Sequence, residues 1–245
     1  MFHKKILDVV HDREHGSSEL LNMVLSAIDE FRDGLTPIDI NWALGQLEEM
    51  EKSMVVIQHF VNQCRSLEGQ DFLENFESYK KQWSSVQQTL SNQFKKHYDL
   101  SGKNVLTHSR SSSVLNVLKS FPEAQQVYQT ESQPGGEGVL QADQLSKLGI
   151  QMVMVKDDEV ETIMSHVDIC IFGCDQHAQD GFINKVGTKE IAALAVGNNI
   201  PVVVLSDTRK EVSQLSNISP WFEKIGYTPD MTLVTEQGVH MLNTV

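Results

Sequence analysis

The stretch that decides the fold runs from 167 to 195, "VDICIFGCDQHAQDGFINKVGTKEIAALA". It begins as a β-branched apolar run ending at Gly173 and, after the Gly187-Thr188 step, continues with the composition and length of a helix. A strand buried on both faces that feeds a helix through a polar loop is the repeating unit of a parallel sheet. The unit recurs. "NVLTHS", "QVYQT", "IQMVMV", "PVVVLSD" and "MTLVTE" read as further strands, with "SSVLNVLKSF", "GEGVLQADQLSKLG" and "DEVETIMSH" as intervening helices. This alternation specifies an α/β domain with a doubly wound, mostly parallel sheet over residues 99–245.

Upstream the period changes to that of a helix. In "SSELLNMVLSAIDEF" the residues Leu21, Val24, Leu25, Ile28 and Phe31 share one face behind Ser17 or Ser18 as N-cap. A second run extends from Ile38 to Cys64 with only Gly45 as an internal weakness, and Pro37 fits its first turn. A third carries Phe72, Phe76, Tyr79, Trp83, Val86, Leu90 and Phe94 as one stripe. Regular helical spacing fits a core or a partner-helix seam better than a ligand-stacking platform. Residues 1–98 are therefore expected to form an all-helical domain.

The charge balance narrows the function. With 20 Lys and Arg against 33 Asp and Glu, the formal charge of −13 repels polyanions, so direct nucleic-acid binding is not expected. No apolar run reaches signal-peptide length or the roughly 18 residues of a membrane span, which points to a cytoplasmic protein. Cys64, Cys170 and Cys174 are too few for a disulfide framework and lack zinc spacing, so no metal is expected.

In a doubly wound sheet, ligands collect where strands end and helices begin, which directs attention to 107–113, 131–138, 173–188, 206–210 and 235–238. In "LTHSRSSSVL", Ser111, Ser112 and Ser113 with backbone amides can cradle a phosphate beside Arg110; the same residues also fit a plain Ser-rich cap with Arg110 in solvent. "ESQPGGEG" lacks the spacing of a dinucleotide loop and reads as a turn, so no nicotinamide or other cofactor is expected. Asp175 follows a strand by two residues, where partial burial suits a carboxyl to proton transfer, or where it simply caps a turn. Asn184 and Lys185 can hold hydroxyl or phosphate oxygens, and Gly187-Thr188 opens a helix toward the same rim. Strand alternation turns Cys174 away from Asp175, which argues against a thiol mechanism.

"GCDQHAQDGFINKVGTKEIAALA" followed by "IPVVVLSDTRK" resembles the family of the alpha, beta and delta subunits of translation initiation factor 2B. That family shares its fold with methylthioribose-1-phosphate and ribose-1,5-bisphosphate isomerases. "VLTHSRSSSVLNVL", "ESQPGGEG" and "TEQGVH" are similar to its other motifs, in order, and "HGSSELL" to an upstream Arg-Gly-Ser/Ala segment. The resemblance implies a Rossmann-like sheet domain and a site for a phosphorylated sugar or nucleotide. It implies Asp175 as acid/base and puts Ser109, next to His108, where the isomerases carry a catalytic Cys. A hydroxyl is a poor replacement for a thiol that must exchange a proton near neutrality. Gln133 and His15 likewise stand where the family has phosphate-binding Arg. His108, Arg110, Ser111, Ser112, Asn184 and Lys185 are the implied ligand-binding set, with Asp175 and Ser109 as the catalytic pair if any turnover survives. Three functions follow: a regulatory binding protein, an aldose-ketose isomerase of a sugar 1-phosphate, or a structural oligomerisation subunit with a vestigial pocket. The resemblance also implies a homo-oligomer or assembly with related subunits.

Overall fold

The computed structural model describes residues 1–12, 15–50, 52–65, 72–216 and 219–241. A seven-stranded sheet forms its centre, in the order β10-β9-β7-β4-β1-β2-β3, with every neighbouring pair parallel except the β9–β10 hairpin. The strands expected from the sequence are all present: β1 (Asn104–Thr107), β2 (Gln126–Thr130), β3 (Met152–Val155), β4 (Ile169–Gly173), β7 (Val202–Leu205) and β9 (Met231–Thr235).

Side chains alternate across this sheet as the two-residue strand period requires. Leu106, Cys170, Phe172, Val202, Val204 and Leu233 enter one core with helix α10 (Thr188–Gly197). Val105, Ile169, Ile171, Val203, Leu205 and Val234 enter the opposite core with α7 (Ser112–Lys119) and α8 (Glu137–Lys147). The sheet is thus covered on both faces, which is why its strands read as unbroken apolar runs.

The opening stretch holds one surprise. What reads as a single polar loop contains β5 (Gln176–Ala178) and β6 (Gly181–Lys185), an antiparallel pair completed by β8 (Phe222–Gly226) in a second, three-stranded sheet. β10 (Gly238–Met241) was likewise not expected as a strand.

The helical half contains α1 (Phe2–His11) and α2 (Ser17–Phe31), followed by breaks where continuous helices were expected. The Ile38–Cys64 run divides into α3 (Pro37–Glu48) and α4 (Val55–Arg65), while Glu51 lies outside the described residues. Thr36 and Asp39 form a capping box at the start of α3 with Pro37 in its first turn. The aromatic stripe divides into α5 (Phe72–Trp83) and α6 (Val86–His97). Phe76 and Tyr79 join the core of the helical half, whereas Leu90 and Phe94 pack with the sheet residues Val105 and Val234. By packing, α6 goes with the second half, although the sequence groups it with residues 1–98. The stripe serves two cores because the chain turns at Ser84 and Ser85 between them.

Candidate functional site

Strand order reverses at β1 and β4: the chain runs outward from β1 to β2 and β3, then returns to place β4 on the other side of β1. The loops leaving two such strands diverge and open a crevice at their carboxyl ends. A cavity of roughly 570 Å³ occupies that position, within the range of small-molecule sites. Arg110, Ser111 and Ser112 line it from the loop after β1, and Cys174, Asp175, Asn184 and Lys185 from the segment after β4. Of the residues expected at a site, Asp175, Arg110, Ser111, Ser112, Asn184 and Lys185 are brought together here, whereas His108 and Ser109 are not among the lining residues.

His108 is 1% exposed and is not among the residues lining the cavity. Its Nε2 is 2.9 Å from the Val186 carbonyl, which can only accept, so Nε2 carries the proton and Nδ1 accepts from Thr130 Oγ1 at 2.7 Å. Burial holds its pKa below the ordinary value, keeping the ring neutral. A Cβ at Gly187, whose φ is +99°, would come within 3.0 Å of this ring, so the turn needs a glycine to pass over it. His108 therefore fastens β1 to β2 and to the start of α10.

Ser109 adopts a left-handed φ of 64°. Its N–H donates to Ser132 Oγ at 2.7 Å and its hydroxyl to Glu137 Oε1 at 3.0 Å. Ser132, at φ 66°, shares that rare conformation. Neighbouring polar groups close a network below the loop: Ser111 N–H donates to Gln141 Oε1, Gln141 to Gln129 Oε1, and Gln129 to the Ser109 carbonyl. Gln129 and Gln141 are fully buried, so these bonds are required rather than incidental.

The helical half supplies a wall that the sequence placed elsewhere. Ser17 or Ser18 was expected to cap α2, but Gly16 occupies the N-cap position. Ser17 instead donates its hydroxyl to Asp175 Oδ1 at 2.7 Å, across 158 residues of sequence. A Cβ at Gly16 would stand 3.2 Å from the Arg110 carbonyl, a measure of how closely α2 approaches the loop after β1. Gly16, Ser17 and Ser18 line the cavity, so the positive end of α2 faces it, as does the N-terminal turn of α7 at Ser111 and Ser112.

Of the Lys and Arg residues that line the cavity, Arg110 and Lys185 are in ion pairs, while Lys52 donates to the Glu48 carbonyl. Arg110 Nη2 donates to Glu19 Oε1 at 2.9 Å, with only 7% of the Arg110 side chain exposed. Lys185 lies 2.9 Å from Glu137 Oε1, donates to the Pro134 carbonyl and sits over the Trp221 ring at 4.7 Å. Lys210, not singled out from the sequence, lines the cavity and donates to the Cys174 carbonyl at 2.7 Å. Its loop is held by a buried ion pair in which Asp207 Oδ1 and Oδ2 accept from Arg209 Nε and Nη2 at 2.8 and 3.0 Å. Burial alone would raise the Asp207 pKa, but the hydrogen bonds and charge of Arg209 outweigh it and hold the carboxyl below the ordinary value. The Arg209 guanidinium also stacks over Trp83 at 5.1 Å, tying this loop to the helical half.

Cys174 is no substitute for a missing thiol. Burial pushes its pKa up to about 12, leaving it protonated at neutral pH. Its side chain packs in the core with Phe172 and Phe182, as strand alternation led one to expect. Gln133 is exposed, and His15 lines the cavity with Nδ1 2.8 Å from Asp12 Oδ2. Among the described residues no cluster of His, Cys, Asp and Glu is arranged to hold a metal, and no helix is long and apolar enough to cross a membrane.

Comparison with known proteins places this arrangement. Over 113 residues the chain is 35% identical to a ribose 1,5-bisphosphate isomerase of Archaeoglobus fulgidus, covering 44% of this chain and 36% of that protein. It is 27% identical over 188 residues to a putative translation initiation factor eIF-2B subunit 2-like protein of Pyrococcus abyssi, covering 75% of this chain and 64% of the relative. The matches thus span from about a third to just under two thirds of these relatives' lengths. In three dimensions the chain is similar to the translation initiation factor eIF-2B of Pyrococcus horikoshii OT3, with a TM-score of 0.84 and 21% identity over 98% of this chain and 96% of that one. It is also similar to the 5-methylthioribose 1-phosphate isomerase of the same organism, with a TM-score of 0.62 and 16% identity over 98% and 78% of the two chains. The profile of the initiation factor 2 subunit family matches residues 4–240, nearly the whole sequence, and the chain belongs to that family.

Proposed function

We propose that this chain binds a phosphorylated sugar or nucleotide in the cavity between the ends of β1 and β4, with a regulatory rather than a strongly catalytic role. The observation that carries this reading is a division of labour at the crevice. Two helix N-termini and the buried cations Arg110, Lys185 and Lys210 surround the cavity, while the Ser109 hydroxyl is directed to Glu137. An acid/base pair needs both members within reach of one substrate, and here only Asp175 lines the wall. In this reading Ser111 and Ser112 with Lys185 receive phosphate oxygens, and Asp175 and Asn184 the sugar hydroxyls.

The melting midpoint against pentose phosphates, hexose phosphates and nucleotides tests the reading, because a ligand that binds the native state stabilises it by mass action. A rise with at least one phosphorylated compound is expected. No shift with any of them at millimolar concentration would remove the binding role and leave a structural subunit.

Asp175, held by Ser17 at the cavity, favours the isomerase as a second reading. It requires ketose formation from ribose 1,5-bisphosphate or methylthioribose 1-phosphate that is lost in Asp175→Asn. Equal traces in both proteins would dismiss it. A similar chain in the solved structures, at a TM-score of 0.68 and 14% identity, is part of a tetrameric eIF2B-beta2-delta2 complex from C. thermophilum. Assembly with copies of itself or with related subunits is accordingly part of the proposal, and sedimentation of the purified chain measures it.

A further inference from the structure

The lining of the cavity is not polar throughout. Beside the charged and hydroxyl groups of the strand ends it includes Leu20, Met50 and Met54 from the helical half, and Pro220, Trp221 and Phe222 from the segment that leads into β8. A phosphorylated sugar is covered with hydroxyl and phosphate oxygens, which lose hydration against such a surface without regaining hydrogen bonds. An apolar portion of a small-molecule site instead fits a ligand that carries an apolar or planar part of its own.

Trp221 says which of these it is. Among the described residues it is the one exposed Trp, Tyr or Phe, at 43%, and it lines the cavity. Its backbone is fixed, because the Trp221 carbonyl accepts from the Val186 N–H at 3.0 Å, beside the Lys185–Phe222 pair of the second sheet. The Lys185 ammonium lies 4.7 Å from the ring centroid and belongs to a residue only 5% exposed, so it occupies the protein side of the indole. The exposed surface of the ring is therefore the side turned away from Lys185. A Cβ at Gly135 would stand 3.3 Å from Trp221 Cζ3, which shows that the loop after β2 also closes on the ring. An indole held by its backbone, backed by a cation and open on its other side is a rigid platform for a second ring.

Resting on the ligand site described under Proposed function, we propose that Trp221 is the specificity-determining residue of that site, and that the ligand is a purine nucleotide with its base stacked on the indole rather than a bare sugar phosphate. Every base offers a π-face to an aromatic side chain, and the two rings of a purine overlap an indole more fully than the single ring of a pyrimidine. The ribose and phosphate stay with the polar groups of the strand ends, and the apolar residues cover the base.

AMP is ribose 5-phosphate with a base on C1, so titration calorimetry with the two compounds isolates the base. In the wild type AMP should bind about tenfold to a hundredfold more tightly, the worth of one base stacked on an aromatic side chain. Trp221→Ala should collapse that ratio to within about threefold, and Trp221→Phe, which keeps an aromatic ring, should preserve most of it. AMP, unlike ribose 5-phosphate, should also quench part of the wild-type tryptophan fluorescence, and W221F should lose the quench because Trp42 and Trp83 do not line the cavity. Equal affinities in the wild type, an unchanged ratio in W221A, or fluorescence that does not respond to bound AMP overturns the assignment while leaving the site itself in place. Binding of neither compound overturns it as well, and the ligand site falls with it only if the melting panel is also flat. The affinity ratio and the quench use the unaltered protein and decide the matter even where W221A fails to fold.

Discussion

The two walls of the cavity leave strands β1 and β4 at the same end of one sheet, yet they use their polar residues differently. After β1, Ser109 is bound to Ser132 and Glu137, Ser111 to Gln141, and Gln141 to Gln129. That wall spends much of its hydrogen-bonding capacity on holding an unusual backbone. After β4, Asp175 is oriented by a serine from the helical half, and the Cys174 carbonyl accepts from Lys210 of the loop after β7. The density of hydroxyls and charges in a motif thus says less about binding than how many of those groups are already satisfied.

The β4 wall is braced through Lys210 by the loop after β7, which stands on the Asp207–Arg209 pair, and breaking that pair should have the largest effect. Asp207→Asn leaves a buried guanidinium uncompensated at a loop that is 0% and 7% exposed at the two partners, for an expected cost of about 3–5 kcal/mol in denaturant unfolding. A cost below about 1 kcal/mol would show that the loop is held by something else.

Next comes the seam between the walls. A Cβ at Gly173 would stand 2.2 Å from Ser111 Oγ and 2.6 Å from Ser111 Cβ. Gly173→Ala must therefore push the β1 loop away from β4, costing about 1–3 kcal/mol and abolishing any ligand-induced rise in melting midpoint. Full retention of that rise would mean that the walls move independently.

Ser109→Ala probes the β1 wall. It removes one hydrogen bond to Glu137 and should cost about 1 kcal/mol without changing ligand affinity. An affinity loss beyond about tenfold would put Ser109 back among the ligand-binding groups and erase the contrast between the walls.

The most gradual effect is that of pH. His108 is kept neutral by burial, so its folded pKa lies below the ordinary 6.5. The unfolded chain then binds more protons in the interval between the two values. The contribution of His108 is fully present above pH 6.5 and is lost as pH falls through the folded value, and His59 and His177 shift in the same direction. Melting midpoints should fall on acidification below neutrality, and more shallowly in His108→Gln. A profile flat across that interval would contradict the buried, neutral His108.

The contrast between legible and hidden features has a common cause. The parallel strands were readable because burial on both faces writes itself into contiguous residues such as Val202–Leu205. The small antiparallel sheet was not, because Gly181–Lys185 includes polar residues and pairs with Phe222–Gly226 far along the chain. The break between α5 and α6 carries no proline or glycine; only the packing of Phe94 against the sheet reveals why the chain turns there. At the site, Asp175, Asn184 and Lys185 could be chosen from one stretch, whereas the roles of Ser17, Glu137 and Lys210 depend on partners 36 to 158 residues away.

By itself the sequence determined the period of each segment, the order of strands and helices, and the kinds of side chain delivered to the strand ends, since these follow from neighbours along the chain. Tertiary structure decided which of those side chains remain able to act. His108 and Ser109 became parts of the scaffold because their hydrogen bonds are completed by Val186, Thr130, Ser132 and Glu137. Ser17 and Lys210 became part of the cavity wall because long-range packing set them against Asp175 and the Cys174 carbonyl. Burial and hydrogen-bond satisfaction are properties of assembled surfaces, and no local window of residues contains them.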